Sequence, residues 1–303
     1  LLLNYRQLAK LKSTYADGLQ DCIAEDGRIH STFNQTEART GRISSLEPNL
    51  QNIPVRTAEG RRLREYFNAP AGRALCDADY SQIELRVLAS MSGDANMINA
   101  FGSGTDIHTV TASQVFGLPQ DMITPELRSR AKAVNFGIVY GIGAFSLSKD
   151  IGVTRAEADR YIKSYLAAYP GVAAYMEKAI EDAKKNGFVT TLYGRRRYIP
   201  ELSNSNGNMR AFGERVARNA PIQGTAADII KIAMIKVSRS LKDEFPTARL
   251  ILQVHDELIV ECDEKDAEDI CTLLEREMEN AADLAVRLTA EAHFGKTWLE
   301  AKA

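Results

Sequence analysis

The chain has 303 residues, of which 45% are hydrophobic and 26% are charged, and its formal net charge is −2. This length and composition provide a large core and favour several subdomains over one. No apolar run reaches the ~18 residues of a membrane span, and the first residues lack the charged, then apolar, pattern of a signal peptide.

The first quarter of the chain is poor in regular patterns. Residues 1–16 read as the end of a basic helix, and a polar, loop-rich segment continues to about residue 70. Residues 73–79 are typical of a strand, and the pattern from Gln82 to Met91 is helical. Because the chain begins without methionine inside a helical pattern, we expect it to be a fragment of a longer protein.

The middle third is mainly helical. Thr124-Pro125 predicts the start of a helix that reaches Gly141, and Thr154 opens a capping box. Further boundaries are a helix end before Pro170, a helix over 172–186, a hairpin over 188–199 and a long helix over 208–242 that is interrupted near Pro221.

The last part alternates strands and one helix. Residues 250–254, 258–262 and 286–293 are strand-like, and residues 264–280 are helical. Strands therefore occur near both chain ends, with a helical insertion between them. The expected fold class is α+β, with one sheet built from both ends.

Two aspartates occupy strand ends. Asp79 lies where a strand gives way to a helix, and Asp256 lies in a tight turn between two apolar strands. On neighbouring strands, two such carboxylates can hold a pair of Mg²⁺ ions ~4 Å apart for phosphoryl transfer. Taken singly, Asp256 also fits an ordinary turn and Asp79 a helix N-cap.

The helix after Pro125 has a distinctive stripe. Arg128, Lys132, Phe136 and Tyr140 recur every four residues, so they share one face. Cations neutralise phosphates and aromatic rings stack on bases, so the stripe suits a nucleoside triphosphate. Solvated charges beside buried aromatic rings are the alternative.

Other signals are weaker. Arg215, Asn219 and Gln223 form a second stripe, and His108 fits either a phosphate donor or a surface histidine. The four cysteines lack CxxC spacing and the histidines are not closely spaced, which predicts free thiols in a reducing cytoplasm and no zinc site. Neither a G-x-S-x-G nor a Walker sequence is present.

Together these segments resemble the family A DNA polymerases, the DNA polymerase I type. Residues 79–86 (DYSQIELR) resemble motif A, the stripe from Arg128 to Tyr140 with Gly141 resembles motif B, and residues 254–257 (VHDE) resemble motif C. The motifs occur in the family's order, and the resemblance extends over essentially all 303 residues.

The resemblance implies a right-hand polymerase with an antiparallel-sheet palm, a mainly helical fingers insertion and a thumb that is largely missing. Residues 1–25 would be the end of the thumb, 26–85 and 210–303 the palm, and 86–209 the fingers. The missing thumb implies weak, salt-dependent DNA binding. No proofreading exonuclease is expected in this chain.

The resemblance also implies a role for each motif residue. The metal ligands would be Asp79, Asp256 and the Tyr80 carbonyl. Lys132 would act as a general acid in addition to binding phosphates. Glu84 would be a steric gate against ribonucleotides. Nucleotide-binding residues would be Arg128, Lys132, Phe136, Tyr140, Gln82, Glu84 and His108. DNA-binding residues would be Lys10, Arg42, Arg215, Asn219, Gln223 and His255.

The implied activity is templated addition of deoxynucleotides to a primer 3′-OH, with release of pyrophosphate by a two-metal mechanism. This nucleotidyltransferase would serve DNA replication and repair as a cytoplasmic monomer in the bacterial nucleoid. It would use two Mg²⁺ ions, with Mn²⁺ as a substitute, and its partners would be primer-template DNA and deoxynucleoside triphosphates, with no membrane. The rivals are a two-metal nuclease and a binding protein that kept the fold without catalysis.

Overall fold

A computed structural model describes residues 1–55 and 57–302, and the chain divides into two compact units. The first unit contains Leu1–Ser81, Ile229–Ala282 and the chain from Thr289 onward. The second contains Gln82–Asp228 and Asp283–Leu288.

Helices are the main elements of the described residues. The α-helices are α1 Leu2–Leu11, α2 Ala58–Arg62, α3 Ile83–Ser92, α4 Ala95–Gly102, α5 Ile107–Phe116, α6 Pro125–Val139, α7 Ala144–Ile151, α8 Arg155–Ala168, α9 Pro170–Asn186, α10 Gly207–Glu244 and α11 Ala267–Glu279. The strands are β1 Thr32–Asn34, β2 Ser44–Leu46, β3 Arg73–Tyr80, β4 Phe188–Thr190, β5 Arg196–Tyr198, β6 Arg249–Val254, β7 Glu257–Asp263 and β8 Ala290–Gly295. Among the described residues, no helix combines the length and apolar character that crossing a membrane requires.

The first unit is built around a four-stranded antiparallel sheet in the order β6-β7-β3-β8. Strands from both chain ends share it, which confirms the prediction of one sheet. The predicted start of the last strand at Val286 is wrong, because β8 begins at Ala290. The Val286 N–H instead donates to Ser90 Oγ (3.3 Å) within the second unit.

Successive side chains of a strand point to opposite faces of the sheet, and the two faces pack against different parts of the first unit. On one face, Leu75 and Ile259 pack with Leu252 and Trp298 in a buried core. On the other, the Tyr80 hydroxyl donates to the Met278 carbonyl of α11 at 2.6 Å. This alternation decides which acidic side chains of β3 meet each other.

The second unit consists mainly of helices, and most boundaries follow the sequence signals. Thr124 caps α6, and both hydrogen bonds of the Thr154 capping box are present. Gly187, at φ +79°, ends α9 in the left-handed region that favours glycine. The helix over 172–186 begins earlier than predicted, because Pro170 occupies its first turn.

The predicted interruption near Pro221 is wrong. Helix α10 is continuous from Gly207 to Glu244 with this proline inside it. A proline costs an interior helix one N–H hydrogen bond. Ala217, Ala220 and Ile222 are all buried around it, and their packing offsets that loss.

Candidate active site

The two strand-end aspartates lie side by side in the first unit. Asp79 of β3 is the register partner of Glu257 in β7, and the Tyr80 N–H donates to the Asp256 carbonyl at 3.2 Å. Asp79 in β3 and Asp256 in the turn before β7 are therefore adjacent, at the ends of two neighbouring strands. The N-cap alternative for Asp79 is wrong, because Gln82 is the N-cap of α3.

Asp256 is in the predicted turn between β6 and β7. The turn consists of His255 and Asp256, and His255 has φ +51°, in the left-handed region. The tight reversal places Asp256 directly beside the end of β3, where Asp79 and Tyr80 lie. Local backbone geometry thus brings motifs A and C together.

An acidic cluster continues along the same face of the sheet. Asp77 and Asp79 are two residues apart in β3, so they share a face, and Glu257 is opposite Asp79. The Lys302 ammonium contacts Asp79 Oδ2 (2.8 Å) and Glu257, and lies 3.8 Å from Asp77 Oδ1. The Arg64 guanidinium lies 3.4 Å from Glu257 Oε1.

Burial and neighbouring charges together shift the pKa values of two groups in this cluster. Burial, and next the charge of Glu257, raises the pKa of Asp77 to about 7. Burial alone would lower the pKa of Lys302, but Glu257, Asp77 and Asp79 outweigh it and raise that pKa. Lys302 therefore stays cationic among these carboxylates at neutral pH.

The donor set suits a hard divalent cation. Among the described residues, no group of three or more His, Cys, Asp and Glu side chains forms a complete metal site. Mg²⁺ does not require one, since it keeps several waters and takes substrate phosphates beside one or two carboxylates. Asp79, Asp256 and the Tyr80 carbonyl offer only oxygen donors, so their chemistry fits Mg²⁺.

Two cavities adjoin these residues within the first unit. The smaller, of about 350 Å³, is lined by Asp79, Asp256, His255 and Lys302, among others. The larger, of about 860 Å³, lies along α1, residues 48–55 and Thr57, and its lining includes Lys10 and His255. Partial burial, and next the charge of Arg42, lowers the pKa of His255, so Arg42 acts on the same region. Of the predicted DNA-binding residues, Lys10 and His255 thus line one cavity, and Arg42 lies within electrostatic range of His255.

In the second unit, α6 presents the predicted stripe on its exposed side. Arg128, Lys132 and Tyr140 are exposed and Phe136 is half-buried. The rings of Phe136 and Tyr140 stack with centroids 6.4 Å apart, and Lys132 Nζ lies 6.0 Å from the Phe136 centroid. The opposite positions, including Ala131 and Val134, are buried. The helical stripe is confirmed as a geometric feature.

Arg128 has a fixed position on this stripe. Its guanidinium donates two hydrogen bonds to Asp106, at 2.8 and 2.9 Å, and Asp106 also caps α5. Burial by itself raises the pKa of Asp106, but hydrogen bonds from Arg128 and Thr109 lower it to about 2. The charge-assisted pair holds the cation at the start of the stripe.

His108 is not a surface histidine. Its side chain is fully buried, with Asn135 Nδ2 2.9 Å from its Nδ1, and Nε2 has no partner among the described residues. Its ring lies 5.9 Å from that of Phe136. The surface interpretation is wrong because α5 packs its inner face, which carries His108, against α6. The phosphate-donor interpretation stays a prediction.

Burial of His108 has a consequence for stability. Burial, despite the charge of Asp106, lowers the pKa of His108 to about 4, against ~6.5 when unfolded. The imidazole binds a proton more tightly in the unfolded chain, so the free energy of unfolding decreases as the pH falls from 6.5 towards 4. Between pH 7 and pH 5 the loss from this group is about 2 kcal/mol. Urea unfolding of His108→Gln should show a correspondingly shallower pH dependence than the unmodified chain.

The exposed His293 provides the control for that comparison. The variant His293→Gln should keep the pH dependence of the unmodified chain. Equal slopes for His108→Gln and the unmodified chain would contradict a buried, neutral His108.

Gln82 and Glu84 begin α3 in the second unit. Gln82 has φ +56°, and its Oε1 is buried without a hydrogen-bond partner among the described residues. Glu84, in the first turn, is only 5% exposed. A buried polar atom without a partner is uncommon and marks a position where a ligand can supply one.

The second stripe lies on α10. Arg215, Asn219 and Gln223 recur at four-residue spacing, with Arg215 exposed and the other two half-buried. Asn219 Oδ1 is buried and has no partner among the described residues. Gly141, at φ +66°, packs beside Arg215, whose Cγ would lie 3.3 Å from an added Cβ. This close approach favours glycine at the end of motif B.

Comparison with known proteins identifies the family of this chain. The model of DNA polymerase family A matches residues 1–300. The chain belongs to this family.

Family A relatives are about half identical to it. DNA polymerase I of Geobacillus stearothermophilus is 50% identical over 303 residues, which are 99% of this chain and 35% of that protein. The Pseudomonas aeruginosa enzyme is 51% identical over 302 residues, 99% of this chain and 33% of its own length. The chain spans about a third of the length of these relatives.

A solved family A structure has the same fold. The POL domain of Pol1 from M. smegmatis, in complex with DNA primer-template and dNTP, aligns with a TM-score of 0.95. It is 46% identical, and the match covers 100% of this chain and 53% of that chain. The mixed fold of helices and antiparallel sheets predicted from the sequence agrees with this structure.

Three residues at the acidic cluster were not singled out from the sequence of this family A chain. The sequence does indicate Asp77 and Glu257 as neighbours of the aspartates. Asp77 precedes Asp79 by two strand positions, and Glu257 follows Asp256 directly. The sequence does not indicate Lys302, because it lies 223 residues from the Asp79 that it contacts.

Proposed function

We propose that this chain is the core of a DNA-templated DNA polymerase, which adds deoxynucleotides to a primer 3′-OH. The observation that carries the proposal is the adjacency of Asp79 and Asp256 at paired strand ends. Membership of family A supports it, as does similarity to a POL domain solved with DNA primer-template and dNTP.

Palm, fingers and thumb are assigned from the resemblance. The palm would comprise residues 26–85 and 210–303, the fingers 86–209, and residues 1–25 the end of the thumb. The division into two units, with the four-stranded sheet in one and α3 to α9 in the other, supports the separation of palm from fingers, although residues 210–228 belong to the helical unit. The proposed cellular setting is the bacterial nucleoid, and the proposed state is a monomer.

In the proposed reaction the 3′-hydroxyl oxygen of the primer forms a bond to the α-phosphorus of the nucleotide. The bond from that phosphorus to the bridging oxygen breaks, and pyrophosphate leaves. Asp79, Asp256 and the Tyr80 carbonyl would hold two Mg²⁺ ions, or Mn²⁺ as a substitute. When bound, these ions supply activation of the attacking oxygen and stabilise the developing negative charge.

The exposed stripe of α6 would hold the nucleotide. Arg128 and Lys132 would bind its phosphates, and Lys132 would donate a proton to the departing pyrophosphate. Phe136 and Tyr140 would contact the sugar and base, with Gln82 and His108 beside them. The stacked, partly exposed rings and the fixed position of Arg128 support this role.

The DNA would be held through its backbone. Lys10, Arg42, Arg215, Asn219, Gln223 and His255 are the proposed DNA-binding residues. Because sequence is read by base pairing, the protein requires only contacts to phosphates and to the shape of the duplex. The large cavity beside Lys10 and His255 supports a duplex-binding role in the first unit.

Glu84 is the proposed steric gate. Its replacement by alanine frees space where a ribose 2′-OH would otherwise meet the side chain. The efficiency of ribonucleotide relative to deoxynucleotide addition should rise at least about tenfold in Glu84→Ala. Single-nucleotide addition kinetics with both sugars measure this ratio. The control is Glu177→Ala, on the exposed side of α9, and an unchanged ratio in Glu84→Ala would contradict the gate.

Primer extension tests the proposed function against its two rivals. The chain is incubated at low salt with a labelled primer-template, Mg²⁺ and four deoxynucleotides, beside the variant Asp256→Ala. Extension by the unmodified chain alone is the expected result. Shortening of the primer without extension would indicate the nuclease, and DNA binding without either reaction would indicate an inactive binding protein.

A further inference from the structure

The segment around Trp298 returns to the sheet and is anchored there by hydrogen bonds and by burial. Trp298 is 1% exposed, its indole N–H donates to Asp77 Oδ2 (3.0 Å), and its N–H donates to the Phe67 carbonyl (2.9 Å). Ala301 is buried in the same core. The packing of Trp298 and Ala301 therefore fixes the backbone that leads into the next residue, Lys302.

Lys302 uses this position to contact three carboxylates. Its ammonium lies 2.8 Å from Asp79 Oδ2, in contact with Glu257, and 3.8 Å from Asp77 Oδ1. The Glu257 and Asp77 side chains are 7% and 1% exposed, whereas that of Lys302 is 30% exposed. The ammonium thus joins buried carboxylates to the partly exposed Asp79.

Asp79 is also a proposed metal ligand, so two cations share one carboxylate. A positive charge this close to a ligand oxygen reduces the attraction of the site for a divalent cation. The same hydrogen bond restricts the rotamers of Asp79 and thereby orients its second oxygen. The charge of Lys302 thus lowers the affinity for the metal, whereas the orientation of Asp79 favours turnover.

From this geometry we infer that Lys302 is a positioning residue, which orients Asp79 and weakens metal binding at the Asp79–Asp256 pair. The inference rests on the proposed metal-ligand role of these aspartates. The side chain acts through Asp79 and does not contact the reacting atoms. Its role is to set the metal concentration that the site requires.

The first test measures metal binding without DNA or nucleotide. Mn²⁺ is titrated into the unmodified chain and into Lys302→Gln, and free Mn²⁺ is followed by electron paramagnetic resonance. Subtracting the binding curve of Asp256→Asn from each titration isolates the Mn²⁺ bound at the Asp79–Asp256 pair. The Kd for Mn²⁺ should fall at least threefold in Lys302→Gln and stay within twofold in Lys302→Arg, which retains the charge.

Lys265 offers a matched control, because it is an exposed lysine of the same unit. Lys265→Gln removes the same charge and should leave the Kd unchanged. Thermal unfolding of every variant checks that the fold is intact. An unchanged Kd in folded Lys302→Gln, or an equal fall in Lys265→Gln, would overturn the inference.

The second test uses primer extension over a range of Mg²⁺ concentrations. In Lys302→Gln the half-saturating Mg²⁺ concentration should fall at least threefold and kcat should decrease, while KM for the nucleotide stays unchanged. Lys302→Arg should restore both values. A lower kcat with an unchanged Mg²⁺ requirement would overturn the inference in favour of a merely structural role.

The two tests separate this inference from the proposed function. Tighter Mn²⁺ binding in Lys302→Gln, in a chain that extends no primer, would support the inference and contradict the polymerase proposal. Primer extension with the same metal dependence in the unmodified chain and in Lys302→Gln would support the polymerase proposal and contradict the inference.

Discussion

Asp256→Ala should reduce the rate of primer extension by about a thousandfold or more. The carboxylate is a proposed ligand of metal ions that each contribute several kcal/mol to the reaction, and each 1.4 kcal/mol is about tenfold in rate. Asp79→Ala should have an effect of the same order, because both carboxylates lie at paired strand ends. Single-turnover incorporation at saturating nucleotide measures these losses.

The fold should survive these changes. Asp256 is half-buried in a turn, and neither aspartate belongs to the apolar core of the sheet. The control Asp269→Ala removes an exposed carboxylate from α11 in the same unit and should keep full activity. A folded Asp256→Ala that extends primers within tenfold of the unmodified chain would contradict the proposed metal-ligand role.

The second large effect concerns Phe136 and the sugar of the nucleotide. Phe136 lies between the His108 and Tyr140 rings, at centroid distances of 5.9 and 6.4 Å, and has no hydroxyl. A dideoxynucleotide lacks a 3′-OH, and the Phe136 side chain has no hydroxyl that could make a hydrogen bond in its place. We expect strong discrimination against dideoxynucleotides, which Phe136→Tyr should relax at least about tenfold, as expected for restoring one such hydrogen bond.

Competition between a dideoxynucleotide and its deoxy counterpart measures this discrimination. The control is Phe145→Tyr, which adds a hydroxyl to an exposed ring on α7, outside the stripe. It should leave the ratio unchanged. Equal incorporation of both nucleotides by the unmodified chain would refute the proposed contact between Phe136 and the sugar.

The sequence predicted the features that depend on local patterns. Four-residue periodicity located the stripe of α6, and capping residues located the starts of α6 and α8. Apolar runs on both sides of residues 255–257 identified the turn that carries Asp256. These features are set by interactions between residues close in the chain, so a single sequence contains enough information to find them.

Features set by distant contacts were missed or misread. Lys302 reaches Asp79 through the packing of Trp298, and neither contact has a local signal. The burial of His108 depends on α5 packing against α6 and not on its neighbours in sequence. Pro221 was misread because packing along α10 offsets a local penalty that propensity alone treats as decisive.

The central proposal is that Asp79 and Asp256 support templated addition of deoxynucleotides. The most direct measurement is single-nucleotide addition in Mg²⁺ at low salt, with enzyme in excess over four primer-templates that differ only in the templating base. Each template should select its complementary nucleotide, and Asp256→Ala should add that nucleotide at least about a thousandfold more slowly. Addition that ignores the templating base, or no addition by the unmodified chain, would contradict the proposal.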